Sequence, residues 1–237
     1  MQQNKISILS TRSLDDELIL DAESKDISIE VVPFIKTEPI SSRELEKRIK
    51  KASMSTTVVF TSANAVEIVA SELKEQKPQW KIFCIGYGTR RIVAKHFGDD
   101  SIAGVADSAK ELAKAVVDAN VSQVVFFCGD RRRDELPALL KQNKVNLEDI
   151  VVYNTIATPQ KIEKKYDGIL FFSPSAVKSF FDNNIPGDQT VLFAIGGTTA
   201  DEIKTFSTNK VVISDMPEAK GLLDKIISYF QVNSIHH

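Results

Sequence analysis

The feature that most constrains this fold is an internal repeat at about half the length of the chain. The segment Ser62–Val66, which follows an apolar run, returns as Ser173–Val177 at an offset of 111 positions. The segment Phe83–Thr89 returns as Phe193–Thr199 at an offset of 110. A repeat of roughly 110 residues is too long for a solenoid unit, so we interpret it as a duplicated domain. The sequence therefore predicts two similar lobes.

Apolar, β-rich runs alternate with amphipathic stretches of helical period, which predicts an α/β fold. The strands are near-continuous apolar runs, and such runs are typical of parallel sheets covered by helices on both faces. Each lobe is therefore expected to be a three-layer, flavodoxin-like structure. The predicted strands are Ile6–Ser10, Ile27–Val32, Thr57–Phe60, Ile82–Ile85, Val124–Cys128, Ile169–Phe172, Val191–Ile195 and Val211–Ile213.

Two extended segments that end at prolines, residues 33–39 and 153–159, suggest how the lobes are connected. If the chain leaves the first lobe after one βαβ unit, builds the second and returns, these segments form a two-stranded antiparallel β linker. We therefore expect a discontinuous first lobe of residues 1–34 plus 160–237, linker strands at 35–39 and 153–159, and a second lobe of residues 40–152. Such a linker would act as a hinge beside a cleft.

Composition excludes several classes of function. With 237 residues, 43% of them hydrophobic, the chain can bury two ordinary cores. A net charge of -2 argues against bulk nucleic-acid binding, and no apolar run is long enough to span a bilayer. Three histidines without ligand spacing predict no metal site. Cys84 and Cys128 lie in apolar strands and are expected to be core residues.

The first residues of the chain suggest its cellular location, and the last two are histidines. Residues 1–5 lead into a strand without the features of a signal peptide, so we expect a cytoplasmic protein. His236 and His237 close the chain, either as a native tail or as part of a tag.

Small polar residues recur where predicted strands meet helices. Ser62 and Asn64 in one lobe, and Ser173 and Ser175 in the other, occupy positions typical of helix N-caps. Capping is the simpler interpretation of each. A helix N-terminus also favours an anion, and ligands of open parallel sheets bind beyond the carboxyl ends of the strands. We therefore treat all four as candidate substrate-binding residues.

Glycine turns precede Thr89 in one lobe and Thr198 and Thr199 in the other. Glycine at these points permits close backbone approach by a ligand. The run Ile85–Arg91 lacks the third glycine of a dinucleotide-binding fingerprint, and no Gly-Lys-Ser/Thr phosphate loop occurs. A nucleotide-dependent enzyme is therefore disfavoured.

Larger polar side chains also lie at predicted strand ends. Arg12 follows the first strand and is a candidate ligand for a carboxylate. The cluster Arg131–Arg133 follows another strand, where it either binds an anion or forms a solvated helix start. Tyr153 lies where the second lobe meets the linker. It either anchors the hinge or places a phenolic donor in the cleft.

Over nearly its whole length the chain resembles the uroporphyrinogen-III synthase family. The resemblance depends on the order and spacing of short motifs, each weak alone. They are Thr11-Arg12, Phe60–Val66, Ile85-Gly86 with Thr89, Val152–Thr155, Phe171–Val177 and Ile195–Ala200. Arg131–Arg133 stands where a less basic loop is expected in this family, so no role is transferred to it.

The resemblance implies an enzyme that closes the linear tetrapyrrole hydroxymethylbilane while inverting its last ring and losing water. It implies no metal or cofactor and a substrate with eight carboxylates. For partners we expect the small-molecule substrate alone, with a monomeric chain and transient contact with the preceding pathway enzyme. In the family's scheme, loss of the terminal hydroxyl gives an azafulvene. The substituted carbon of the last ring then attacks it to form a spiro intermediate, which fragments and recloses.

The resemblance suggests roles for the candidate residues. Tyr153 is expected to assist departure of the hydroxyl, while Arg12, Ser62, Asn64, Thr89, Ser173, Ser175, Thr198 and Thr199 bind and position the substrate. The main alternative is a non-catalytic, hinge-type binding protein for a small anion, which would share the two-lobed organisation.

Overall fold

The computed structural model of the chain describes residues 5–74 and 76–234. His236 and His237 lie outside these residues. The chain divides into two compact units, one made of Met1–Lys36 with Ile156–His237 and the other of Thr37–Thr155. It therefore passes between the units twice, and the first unit is discontinuous in sequence.

The described residues form eleven strands and nine α-helices. The strands are β1 (Ile6–Ser10), β2 (Ile27–Val31), β3 (Ile35–Pro39), β4 (Thr57–Phe60), β5 (Lys81–Ile85), β6 (Ile102–Ala106), β7 (Gln123–Gly129), β8 (Asn146–Ala157), β9 (Gly168–Phe171), β10 (Val191–Ala194) and β11 (Val211–Ile213). The helices are α1 (Asp16–Glu23), α2 (Arg43–Ala52), α3 (Ala63–Leu73), α4 (Tyr87–Phe97), α5 (Ala109–Asp118), α6 (Glu135–Gln142), α7 (Pro174–Phe181), α8 (Gly197–Phe206) and α9 (Ala219–Ser234).

The two sheets have corresponding strand orders. The first unit has the order β11-β10-β9-β1-β2, and the second has β6-β5-β4-β7-β8 with β3 added beyond β8. All neighbouring pairs among the shared strands are parallel. β4 and β9 carry the repeat found in the sequence, as do β5 and β10. The two units therefore share one sheet architecture but differ in the strand with which the chain begins. The first unit begins with β1, which corresponds to β7 of the second.

β3 pairs with β8 in the antiparallel direction. Ile40 N–H donates to Val152 O at 3.0 Å, and Thr158 N–H donates to Phe34 O at 2.9 Å, so the two segments run in opposite directions. Both segments pass from one unit to the other. The α/β fold with parallel sheets and an antiparallel linking pair is confirmed.

Each sheet has a hydrophobic core on both faces. Successive residues of a strand point to opposite faces, so one strand contributes to both cores. In the second unit, Val58 and Phe60 belong to a core with α2, α3 and α4, while Val59 belongs to one with α5 and α6. In the first unit, Leu9 faces a core with α7 and α8, and Ile8 faces one with α9. The near-continuous apolar runs are thus strands buried on both faces.

Most predicted strands agree with the structure to within one residue at each end. β6 was not predicted, because Ile102–Ala106 contains two alanines and a glycine, which are weak strand formers. The first part of β8 was also missed, because Glu148 and Asp149 interrupt its apolar pattern. No helix among the described residues is long and apolar enough to cross a membrane.

Candidate active site

The carboxyl ends of the parallel strands in the second unit gather four of the predicted site residues. Ser62 and Asn64 follow β4, Thr89 follows β5, and Tyr153 lies within β8 beside Gly129, the last residue of β7. β4, β7 and β8 are successive neighbours in the sheet, so the ends of β4 and β7 lie at one edge, beside Tyr153 of β8. This edge is where open parallel sheets bind ligands.

Tyr153 and Ser62 are in direct contact. The Tyr153 hydroxyl donates a hydrogen bond to Ser62 Oγ at 3.1 Å, although the residues are 91 positions apart in sequence. Burial raises the pKa of the Tyr153 phenol, and the Ser62 hydrogen bond opposes this only in part. The phenol is therefore protonated at neutral pH and can donate a proton or a hydrogen bond.

Ser62 and Ser173 differ in their role at the start of their helices. Ser173 Oγ accepts a hydrogen bond from Ala176 N–H at 3.2 Å and so caps α7, as predicted. Ser62 stands at the N-cap position of α3, but its side chain makes no capping hydrogen bond. Its hydroxyl accepts from Tyr153 instead. The predicted N-cap position of Ser62 is confirmed, but its side chain does not cap the helix.

Asn64 and Ser175, unlike Ser62 and Ser173, do not stand at N-cap positions. Each is the second residue of its helix, one position beyond the first helical residue of α3 or α7. Asn64 is exposed and Ser175 is half-buried. The side chain that caps a helix belongs to the residue before the first helical residue, and it accepts a hydrogen bond from the backbone N–H of the second or third helical residue. Both remain predicted substrate-binding residues.

Thr89 and Thr199 occupy the same place in their units, each the third residue of its helix. They are 7% and 3% exposed respectively, whereas the neighbouring Thr198 is exposed. The N-cap of α4 is Gly86, with φ of 81°, a left-handed conformation that other residues adopt only with strain. Thr89 thus follows a glycine turn and has most of its surface buried.

Arg12 lies at the carboxyl edge of the first unit beside the loop that holds Ser173. Its guanidinium carbon is 4.2 Å from the centroid of the Phe172 ring, a cation–π arrangement that orients the side chain. Ser10 Oγ donates to the Arg12 carbonyl at 2.7 Å, which fixes the backbone after β1. The side chain is exposed, its charge interacts with that of Asp15, and a guanidinium is the group best suited to pair with a carboxylate.

Arg132 is already occupied within the basic cluster of residues 131–133. Its Nε and Nη2 donate to Asp149 Oδ2 at 2.9 and 2.7 Å, and its Nη1 donates to Asp134 at 2.5 Å. These bonds, with Asp149 first, raise the pKa of Arg132. Arg131 and Arg133 are exposed. Arg132 therefore has a structural role at the start of α6.

Gly129 and Asp130 complete the surroundings of Tyr153, and neither was predicted as a site residue. A Cβ atom placed on Gly129 would lie 2.4 Å from Tyr153 Cε2. Asp130 N–H donates to the Tyr153 carbonyl at 3.0 Å, and Asp130 Oδ1 accepts from Thr155 N–H at 2.8 Å. A glycine directly after an apolar strand was the sequence signal for this close approach.

The two cysteines are free and buried, which confirms their prediction as core residues. Burial raises the pKa of both the Cys84 and the Cys128 thiol to about 11. A protonated thiol is a poor nucleophile, so neither is a candidate for covalent catalysis. Within residues 5–74 and 76–234, no three His, Cys, Asp or Glu side chains form a group that could hold a metal ion.

Comparison with known proteins gives one consistent family. The family model of uroporphyrinogen-III synthase HemD matches residues 16–224. The uroporphyrinogen-III synthase of Saccharomyces cerevisiae is 24% identical over 208 residues, which cover 73% of this chain and 75% of that protein.

Two solved structures share the fold. The uroporphyrinogen-III synthetase of Helicobacter pylori has a TM-score of 0.66 at 16% identity, and the match covers 94% of this chain and 99% of that one. A mutant uroporphyrinogen III synthase of Thermus thermophilus has a TM-score of 0.63 at 13% identity, with 97% and 99% covered.

Proposed function

We propose that this chain, which belongs to the uroporphyrinogen-III synthase family, converts hydroxymethylbilane into uroporphyrinogen III. The observation that carries the proposal is the family match over residues 16–224, nearly the whole chain. The substrate is a linear tetrapyrrole, and the reaction closes it with inversion of the last ring and loss of water. Because the reaction eliminates water, we propose that the chain is a lyase. We also propose that it acts without a cofactor.

Tyr153 is proposed to assist the first step, departure of the terminal hydroxyl. A leaving hydroxide needs a proton or a strong hydrogen bond, and the phenol of Tyr153 is held protonated by burial. In the structure the single phenolic proton is donated to Ser62 Oγ, 3.1 Å away. With substrate bound, that proton turns to the leaving hydroxyl, and the Ser62 O–H donates to the phenol oxygen instead and keeps the ring oriented. The proton donated by the phenol leaves with the hydroxyl as water, and the phenolate regains a proton from solvent.

The remaining candidate residues are proposed to bind carboxylates and pyrroles. Arg12, Ser173, Ser175, Thr198 and Thr199 lie at the carboxyl edge of the first unit, and Ser62, Asn64 and Thr89 at that of the second. Helix N-termini at both edges favour the negative charge of a substrate with eight carboxylates. These contacts would then control ring closure by holding the flexible linear tetrapyrrole in one conformation.

The direct test is incubation with enzymatically generated hydroxymethylbilane, followed by oxidation and chromatographic separation of the type I and type III uroporphyrin isomers. Predominant type III product supports the proposal. Type I product at the spontaneous rate, from protein with a normal unfolding transition, contradicts it. The non-catalytic anion-binding alternative is not favoured by the family match, and it predicts type I product at the spontaneous rate in the same assay.

Three further features belong to the proposal. We expect a monomer, a cytoplasmic location, and transient contact with the enzyme that supplies hydroxymethylbilane. Light scattering of the purified chain tests the first, and cell fractionation the second. A faster approach to type III product when the two enzymes are mixed, at equal total hydroxymethylbilane, tests the third.

A further inference from the structure

The place of Tyr153 depends on an irregularity between β7 and β8. Cys128 pairs with Val151, but the next residue, Gly129, pairs with Tyr153, so Val152 is an extra residue in β8. Successive residues of a regular strand point to opposite faces, and a bulge breaks that alternation. Val152 and Tyr153 accordingly both pack on the core face that carries α3. The bulge turns the phenol toward Ser62.

Gly129 leaves the space that the tyrosine ring occupies. An ideal Cβ on Gly129 would lie 2.4 Å from Tyr153 Cε2, 2.5 Å from Cζ and 2.8 Å from the hydroxyl oxygen. Real Cβ contacts are essentially never below 3.0 Å. All three clashing atoms belong to the phenol, so any side chain at position 129 must displace the part of Tyr153 that carries the hydroxyl.

We propose that Gly129 is a positioning residue for Tyr153, its missing side chain allowing the phenol to reach Ser62. The hydrogen bond is 3.1 Å long, and a shift of the hydroxyl by about 1 Å takes it beyond hydrogen-bond range. Asp130 N–H holds the Tyr153 carbonyl at 3.0 Å, so the backbone is fixed while the ring is displaced. The expected effect of a Gly129 substitution on turnover rests on the proposed function, whereas its expected effect on the position of the Tyr153 ring does not.

The chain contains a matched control in Gly104. Its added Cβ would lie 2.7 Å from Phe83 Cδ1, so Gly104→Ala also forces an aromatic ring to move. Gly104 lies in β6, at the opposite end of the same sheet from β8. Gly129→Ala and Gly104→Ala are therefore both expected to lower the midpoint of thermal unfolding by several degrees. They differ in whether Tyr153 moves.

The experiment measures kcat, KM and the isomer ratio for wild type, Gly129→Ala, Gly104→Ala, Tyr153→Phe and the Gly129→Ala/Tyr153→Phe double variant. A displacement near 1 Å predicts that Gly129→Ala loses about 10- to 100-fold in kcat with little change in KM. Gly104→Ala is expected to stay within about threefold of wild type. In the Tyr153→Phe background, Gly129→Ala is expected to cost little more, because the hydroxyl is already gone.

A second readout is independent of turnover. The chain has four tyrosines, so ring-labelled tyrosine gives few NMR signals, and the Tyr153 signal is the one absent from Tyr153→Phe. Gly129→Ala is expected to shift that signal and Gly104→Ala to leave it in place. Equal kcat for the two alanine variants, or an unshifted Tyr153 signal in Gly129→Ala, overturns the proposal. A wild type that yields only type I product overturns the proposed function instead, and the NMR comparison still tests the geometry.

Discussion

Ser62 and Ser173 occupy repeat-related positions, yet their hydroxyls serve different purposes. Ser173 caps the helix that follows it, while Ser62 accepts a hydrogen bond from Tyr153 and leaves its helix without a side-chain cap. The difference arises in the neighbouring strands. β8 extends over twelve residues and reaches Tyr153, whereas β2 ends after five. Beyond β2 the chain buries Phe34 against Phe180. The second unit thus has a phenolic donor at its edge where the first has additional core.

The largest effect that tests this comparison is expected from Tyr153→Phe. A general acid contributes about 10² to 10⁴ in rate, so turnover should fall by that factor if the phenol protonates the leaving hydroxyl. The measurement is the initial rate of type III formation. Tyr166→Phe is the control, because Tyr166 is a buried tyrosine that precedes the amino end of β9, whereas the predicted site residues of that unit follow the carboxyl ends of their strands. A loss below about tenfold for Tyr153→Phe would reduce its role to positioning.

Thr89→Val and Thr199→Val compare the two units at matched positions. A hydrogen bond to a charged group is worth about 1.5 to 3 kcal/mol, so loss of a carboxylate contact should lower turnover by about tenfold or more. Misplaced substrate should also raise the share of type I product. Both the rate and the isomer ratio are measured by chromatography. Unchanged values for either variant would remove that threonine from the site.

Ser62→Ala and Ser173→Ala should show opposite profiles. Removing the Ser173 cap is expected to lower the free energy of unfolding by about 1 kcal/mol. Ser62→Ala removes no cap, so its stability cost should be smaller. It removes the acceptor of the Tyr153 hydroxyl, which should lower turnover by about two- to tenfold. Denaturant unfolding and initial rates separate the two effects. Equal unfolding free energies for the two variants would contradict the difference in capping.

The smallest expected effect is on stability at high pH. Burial raises the pKa of Tyr153, and burial with a hydrogen bond to Glu30 raises that of Tyr166. A raised pKa in the folded state means that the protonated phenol stabilises the fold. This contribution is complete below about pH 10, the ordinary pKa, and is lost as the pH rises through the folded value. Tyr153→Phe and Tyr166→Phe should each reduce the fall in unfolding free energy measured between pH 9 and 11 in urea. Curves parallel to wild type would show that neither phenol is coupled to folding.

Local pattern was sufficient to predict most of the architecture. Thr57–Phe60 and Val211–Ile213 were predicted with the bounds that the structure has, because such strands are short apolar runs between turn residues. β6 was missed because alanine and glycine give little local signal. It forms because β5 pairs with it and because Ala106 packs against Phe83 and its neighbours. Pairing and burial supplied what propensity lacked.

The candidate site was predictable in part. Ser62 and Tyr153 were both named from the sequence, but nothing in it indicates that residues 91 positions apart share a hydrogen bond. The structure also assigns Arg132 to Asp149 and Asp134, which distinguishes it from its two exposed neighbours. The Tyr153–Ser62 hydrogen bond and the Arg132 ion pairs depend on which side chains lie close together in the folded sheet. The local sequence pattern does not indicate this.

The sequence by itself determined the duplication, the α/β class and the strand ends at which polar residues collect, because hydrophobic period and turn residues are local properties. Only the tertiary structure decided which of two matched serines caps a helix and which faces a phenol. It placed β8 beside β7, inserted a bulge at Val152 and set Gly129 under the tyrosine ring. These contacts join residues far apart in the chain, and they exist only once the sheet has assembled.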